Sequence, residues 1–168
     1  MRNSSHMKSQ TFDALNCSVA RALEQVGEWW TLLIIREAFF GVRRFSEFEQ
    51  RLGISRNILS ERLGKLVEFG ILERQKVVGR GNPQDYKLTP KGLDLFPVIV
   101  ALLQWGDKWI NSEQGAPVIL LERKTGSEIG PIRVVSRSGT PLRPSLIAVE
   151  AGPGADDAVL ARLSESTD

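Results

Sequence analysis

Residues 43–69 read RRFSEFEQRLGISRNILSERLGKLVEF, and the punctuation of this stretch decides the fold. Ser46 and Glu49 have the spacing of a capping box, which opens a short helix to Leu52, and Gly53 supplies a turn. Ser55 caps again, and the helix from Arg56 to Phe69 carries Leu59, Leu63, Leu66 and Val67 on one face. Two short helices about a glycine turn form a helix-turn-helix. Its second helix turns Asn57, Ser60, Glu61 and Gly64 away from the leucines, with Arg56 at its free N-terminal end.

Working outward, Ile71 to Val78 alternates and is β-branched, Gly79-Arg80-Gly81-Asn82-Pro83 is turn chemistry, and Asp85 to Leu88 returns as a short strand. Thr89 and Pro90 then open a helix expected to reach about Asn111, kinked by Pro97. Upstream, Asn16 can cap a helix from Cys17 to Val26, and the apolar stretch Glu28 to Phe40 predicts a central helix buried on nearly every side. The expected class is mainly α with a small β-wing, a winged helix-turn-helix spanning residues 12–111. Residues 112–151 predict a small β appendage, with strands at Pro117 to Glu122, Ile132 to Arg137 and Leu146 to Glu150. Residues 1–11 and the small, acidic stretch 152–168 are expected to be disordered. His6-Met7 resembles a cloning remnant, so the first residues carry no functional weight.

Composition narrows the chemistry. The 168 residues suit one domain with appendages, and the longest apolar runs fall short of a membrane span, so a cytoplasmic protein with no membrane partner is expected. One cysteine and one histidine cannot build a thiolate-imidazole metal site or a Ser-His-Asp centre, and no Gly-rich phosphate cradle is present. Neither an enzyme nor a cofactor is expected. The net charge of +2 is unevenly spread: residues 43–91 hold eleven Lys/Arg against six Asp/Glu, leaving −3 elsewhere.

That basic segment is either a solvated face or a nucleic-acid surface. The order of its parts favours double-stranded DNA. Arg56 can pair with guanine and Asn57 with adenine in the major groove, with Ser55, Ser60 and Arg62 on the same helix. Arg43, Arg44 and Ser46 stand at a helix N-terminus whose amides favour a phosphate. Arg74 and Lys76 share one face of a wing strand, and Arg80 marks the wing tip.

The last long helix shows two apolar faces. Val98, Leu102, Trp105 and Trp109 form one, and with Leu15, Val19 and Leu23 they are expected to build a homodimer interface; burial of both faces within one monomer is the alternative. Cys17, at the first turn of a helix and near Arg21, is either an activated thiol or a small buried hydrophobe.

The stretch from Cys17 to Ile110 resembles the HxlR-type winged-helix regulators. The resemblance rests on an ordered set of pieces: Trp30-Thr31-Leu32-Leu33 through Glu37, Arg44-Phe45-Ser46-Glu47-Phe48, Ile54-Ser55, Leu59-Ser60-Glu61-Arg62-Leu63, Gly70-Ile71-Leu72-Glu73-Arg74, Tyr86-Lys87-Leu88-Thr89-Pro90-Lys91-Gly92 and Trp105-Gly106. It implies a dimer formed by the first and last helices, a reading helix after Ser55, a wing after Leu72, and a Cys17 that senses electrophiles or oxidants. In some relatives a similar appendage carries cysteine knuckles; here Lys124-Thr125-Gly126 and Arg137-Ser138-Gly139 stand in those turns without thiols, so no zinc site is expected. A small apolar or electrophilic effector is a further expected partner. Two rival functions remain: a winged-helix protein adaptor, and a small-molecule binder whose pocket is lined by Trp29, Trp30, Phe39, Trp105 and Trp109.

Overall fold

The computed structural model of the chain describes residues 15–76, 84–110 and 115–165. The expected disorder of residues 1–11 and the expected wing-tip contact of Arg80 lie outside the described residues.

Helix α1 (Ser18–Val26) starts one residue later than expected. Its cap is Cys17, in extended conformation, while the Asn16 amide donates to the Gly154 carbonyl at 2.7 Å. Helix α2 (Trp29–Phe39) is the central element, with Ile34, Ile35 and Ala38 fully buried. Its burial is less complete than the sequence suggests: Trp29, in the first turn, is 87% exposed.

Helix α3 (Phe45–Leu52) corrects the expected capping box. The cap is Arg44 rather than Ser46, and the carboxylate that reaches back is Glu47, accepting from the Arg44 and Arg43 amides at 3.1 and 3.3 Å. Both registers offer an acid three residues after a cap. The earlier one wins because Arg44 also bridges to Asp85 and the Arg43 carbonyl accepts from Tyr86, fixing this backbone as extended. Gly53 closes the helix at φ +61°, a left-handed conformation that glycine adopts without a side-chain clash. Helix α4 (Arg56–Glu68) comes next, with Ser55 accepting from the Ile58 amide as expected.

Strands β1 (Leu72–Lys76) and β2 (Gln84–Leu88) pair antiparallel, Arg74 opposite Tyr86. Leu59, Leu63 and Leu66 of α4, Phe48 of α3, Ile71 and Leu72 meet α2 in one core. The fold is thus mostly helical with a two-stranded antiparallel sheet, as expected.

The expected long kinked helix is two helices, α5 (Pro90–Leu93) and α6 (Phe96–Trp109). Pro97 has no amide hydrogen to donate back and its ring crowds the preceding turn, so the chain breaks before it and Pro97 sits in the first turn of α6. Thr89 caps α5 and donates its hydroxyl to the Gly70 carbonyl at 2.6 Å, while Lys91 Nζ reaches Gln25 of α1 and the Phe69 carbonyl. These bonds tie the end of the wing to both α1 and α4.

Beyond residue 114 the three predicted strands are absent from the described residues. Isolated bridges Leu121 to Glu128 and Val135 to Pro141, and a 3-10 turn at Pro144–Leu146, take their place. With no residue of 115–165 buried, no apolar face is available to hold a sheet together. The segment is moored by Gln104, which donates to the Gly130 carbonyl at 3.1 Å and accepts from the Ile132 amide at 2.8 Å. The expected disorder after residue 152 is also corrected, because Asp157–Glu165 forms helix α7. Asp156 accepts from the Val159 amide at 3.0 Å, and Ala158, Leu160, Ala161 and Arg162 are strong helix formers.

Candidate nucleic-acid interface

Burial of Leu59, Leu63 and Leu66 forces the opposite side of α4 outward, so Arg56, Asn57, Ser60 and Glu61 are all exposed. Arg56 is held rather than free-swinging. Its guanidinium lies 5.4 Å over the Phe45 ring and pairs with Glu49 at 3.3 Å, while 74% of the side chain stays exposed. Glu61 pairs with Lys65 one turn on, at 3.5 Å.

Arg62 departs from the expected surface. Its side chain is only 14% exposed and its Nη2 reaches Glu28, just before α2, at 3.3 Å. It buttresses α4 against α2. Arg43 is likewise half-buried, with Nη1 donating to the Ala38 and Val42 carbonyls at 2.6 and 2.9 Å, where it satisfies the end of α2. The N-terminus of α3, expected to offer amides to a phosphate, already holds the Glu47 carboxylate. Those Arg44 and Arg43 amides, with the charges of Arg44 and Arg51, keep the Glu47 carboxyl below its ordinary range. Arg44 and Ser46 remain exposed, Arg44 lying 3.9 Å from Asp85. Ser55 is exposed too, though its hydroxyl is engaged as the cap.

On the wing, Arg74 and Lys76 are exposed and two residues apart on β1, hence on one sheet face. Arg74 stacks 5.8 Å over Tyr86. The arrangement is a two-stranded basic ribbon beside a helix-turn-helix, with Arg44 joining α3 to β2.

The apolar residues expected at a dimer interface all lie in the open: Leu15, Val19 and Leu23 at α1, and Val98, Leu102, Trp105 and Trp109 on α6. The other side of α6 buries Ile99 and Val100. Cys17 is a half-exposed free thiol at the cap of α1. Its pKa is lowered, chiefly by the Ala20 and Val19 amides and then by Arg162 and Arg21, although neither amide closes a full capping hydrogen bond. The involvement of Arg162 was not foreseeable locally, since it comes from α7. The tryptophans do not gather into a pocket. A cavity of about 640 Å³ lies instead between α2 and α6, with no tryptophan in its wall. Sequence reasoning also missed Glu37, a buried carboxylate gripped by Arg36 at 2.6 Å and Arg51 at 3.5 Å. The signal was available: Arg36-Glu37 is the only charged pair within an otherwise apolar helix.

Taken together, these elements define a winged helix-turn-helix protein. The HxlR-like helix-turn-helix family model matches residues 25–114, and the chain belongs to that family of regulators. An uncharacterised HTH-type transcriptional regulator of Mycobacterium tuberculosis, MT3179, is 44% identical over 137 residues, covering 82% of this chain and 87% of its own. The solved structure of PA1607, described as a candidate transcription factor, superposes with a TM-score of 0.77 at 39% identity, over 82% of this chain and 96% of that one. The redox regulator HypR in its reduced form gives a TM-score of 0.52 at 26% identity, over 55% of this chain and 92% of that one. No helix among the described residues is long and apolar enough to cross a membrane.

Proposed function

We propose that the chain is a cytoplasmic, DNA-binding transcriptional regulator that acts as a homodimer on a pseudo-palindromic operator. The observation that carries this is the exposed face of α4, where Arg56, Asn57 and Ser60 stand out from a helix whose other side is locked into the core. An α-helix fits the major groove, where a guanidinium can pair with guanine and an amide with adenine. Arg44, Arg74 and Lys76 contact the sugar-phosphate backbone to either side, setting register rather than reading bases. Two copies joined through the open faces of α1 and α6 put their reading helices about 34 Å apart, one turn of DNA. Its class is that of its curated relatives, which are named HTH-type transcriptional regulators. Regulation rather than catalysis is the activity.

A second element of the reading is a switch at Cys17. The thiol's lowered pKa raises its thiolate fraction, and HypR is named a redox regulator. Sulfenylation or alkylation at the first turn of α1 rotates one subunit against the other and changes the spacing of the reading helices.

The test is selection of duplexes from a random pool by the purified protein. Enrichment of a two-fold related site, with binding that weakens steeply as salt rises, is the expected result. Failure to bind any duplex at low salt refutes the reading and leaves a protein adaptor in its place.

A further inference from the structure

The cavity between α2 and α6 has a polarity that points to a ligand class. Its volume of about 640 Å³ falls within the range of small-molecule sites, and its wall is largely apolar, with Leu32 and Leu33 from α2 facing Ile99 and Leu103 from α6. Pro117 and Val118 of the appendage border it. The polar minority is unevenly signed. Arg36 lines the cavity, but its Nε and Nη2 both donate to Glu37, so the two charges largely cancel. Asp107 also lines it, half-buried, and has no ionic partner among the described residues. Furthermore, the wall is built from the last turns of both helices, up to Phe40 on α2 and Ile110 on α6. Helix C-termini carry the negative end of the dipole and carbonyls without intrahelical donors, so both ends add to the field of Asp107.

We propose that this cavity is an effector site for a hydrophobic organic cation, an apolar ring or chain bearing one protonated amine, with Asp107 as its counter-ion. The apolar part replaces water against the leucines, and the ammonium meets Asp107 and the α6 carbonyls. A carboxylate ligand of the same shape meets an unfavourable field. The cavity also touches the DNA-binding elements: Glu37 extends its second carboxylate oxygen to Arg51 of α3, and its carbonyl accepts from the Val42 amide at 3.0 Å. Occupancy therefore biases the pose of α3 and, through the Glu49–Arg56 pair, of the reading helix. This second step rests on the DNA-binding reading; the cation site does not.

The experiment uses the full chain and three probes on one scaffold, 4-phenylbutylamine, 4-phenylbutanol and 4-phenylbutyrate. Calorimetry without DNA is expected to rank them amine, alcohol, carboxylate, the amine binding about tenfold tighter than the alcohol at low salt. Asp107→Asn is expected to erase most of that preference while keeping the wild-type melting temperature, because a carboxylate near a helix C-terminus does not stabilise the helix. Amide NMR shifts in the wild type, read as a second measurement, should centre on α2 and α6. No binding of the amine, an equal or tighter carboxylate, a preference that survives Asp107→Asn, or shifts centred elsewhere overturns the site. The linkage is read separately, as an amine-dependent change in affinity for duplex DNA that Asp107→Asn loses. An amine that binds in the cavity yet leaves DNA affinity unchanged overturns the linkage alone.

Discussion

Gly92 and Gly64 both lie in helices, and the structure expects alanine at the two positions to act in opposite directions. Helix propensity alone favours alanine at each, by about 0.5–1 kcal/mol. At Gly64, on α4, a Cβ meets nothing within 4 Å, so the propensity gain should survive and raise the melting temperature by a few degrees. At Gly92, on α5, a Cβ would overlap the Ile71 carbonyl oxygen and approach Leu88 Cδ2 to 2.9 Å. The Leu88 methyl can yield, but the carbonyl is fixed by the Thr89 amide at 3.1 Å and cannot move without loosening the end of the wing. Overpacking of this kind costs about 1–3 kcal/mol, and α5 is too short to recover the full propensity term. The net expectation is a loss of about 1–2 kcal/mol, which for a chain of this size lowers the melting temperature by roughly 4–8 °C. Both variants and the wild type should be melted by circular dichroism at one protein concentration, since an oligomer's melting point depends on it. Should Gly92→Ala melt at or above the wild type, the packing of α5 on the β1 entrance is wrong.

Three further outcomes are expected. Arg56→Ala should weaken operator binding by about 1–3 kcal/mol and relax preference at one base pair of each half-site; a selection experiment returning an unchanged consensus argues against α4 as the reader. Trp105→Glu places a charge on the open face of α6, and light scattering should find the dimer weakened by tenfold or more, about 1.4 kcal/mol, with little change in secondary structure. For Cys17, alkylation by iodoacetamide should rise with pH through a midpoint below that of the same thiol in urea, because the folded state lowers its pKa. The sign for stability is then fixed: the thiolate's contribution is present above the unfolded pKa and lost as pH falls through the folded one. Equal midpoints would remove the basis for a switch, as would identical release of DNA by wild type and Cys17→Ser after diamide.

The fold was legible where local and tertiary preferences agree. Leu59, Leu63 and Leu66 recur with the helical period, Ser55 caps and Gly53 turns, so α4 and its outward face could be read from a dozen residues. The wing was legible because alternation and turn residues coincide. Legibility failed where two local solutions were equally good. Ser46 with Glu49 and Arg44 with Glu47 both satisfy a capping spacing, and the contact that chooses, Arg44 with Asp85, spans forty-one residues. The appendage fails for another reason. Its β-branched alternation describes strands that need a buried face, and no such face forms within the described chain.

The candidate site divides along the same line, and the division concerns arginines. Arg56, Arg62 and Arg43 look alike in a sequence, three basic residues at or near helix ends. What separates them is the partner that folding brings. Glu28 reaches Arg62 and the α2 carbonyls reach Arg43, so both are spent on joining α2 to the helix-turn-helix. Arg56 meets Glu49 and Phe45 at the surface, where an ion pair is weak and exchangeable, and so keeps a guanidinium that a base or phosphate can claim. Substituting Arg62 or Arg43 should therefore damage stability first and DNA binding second, whereas substituting Arg56 should do the reverse. A count of basic residues gives all three the same role; only their partners distinguish the scaffold from the surface that reads.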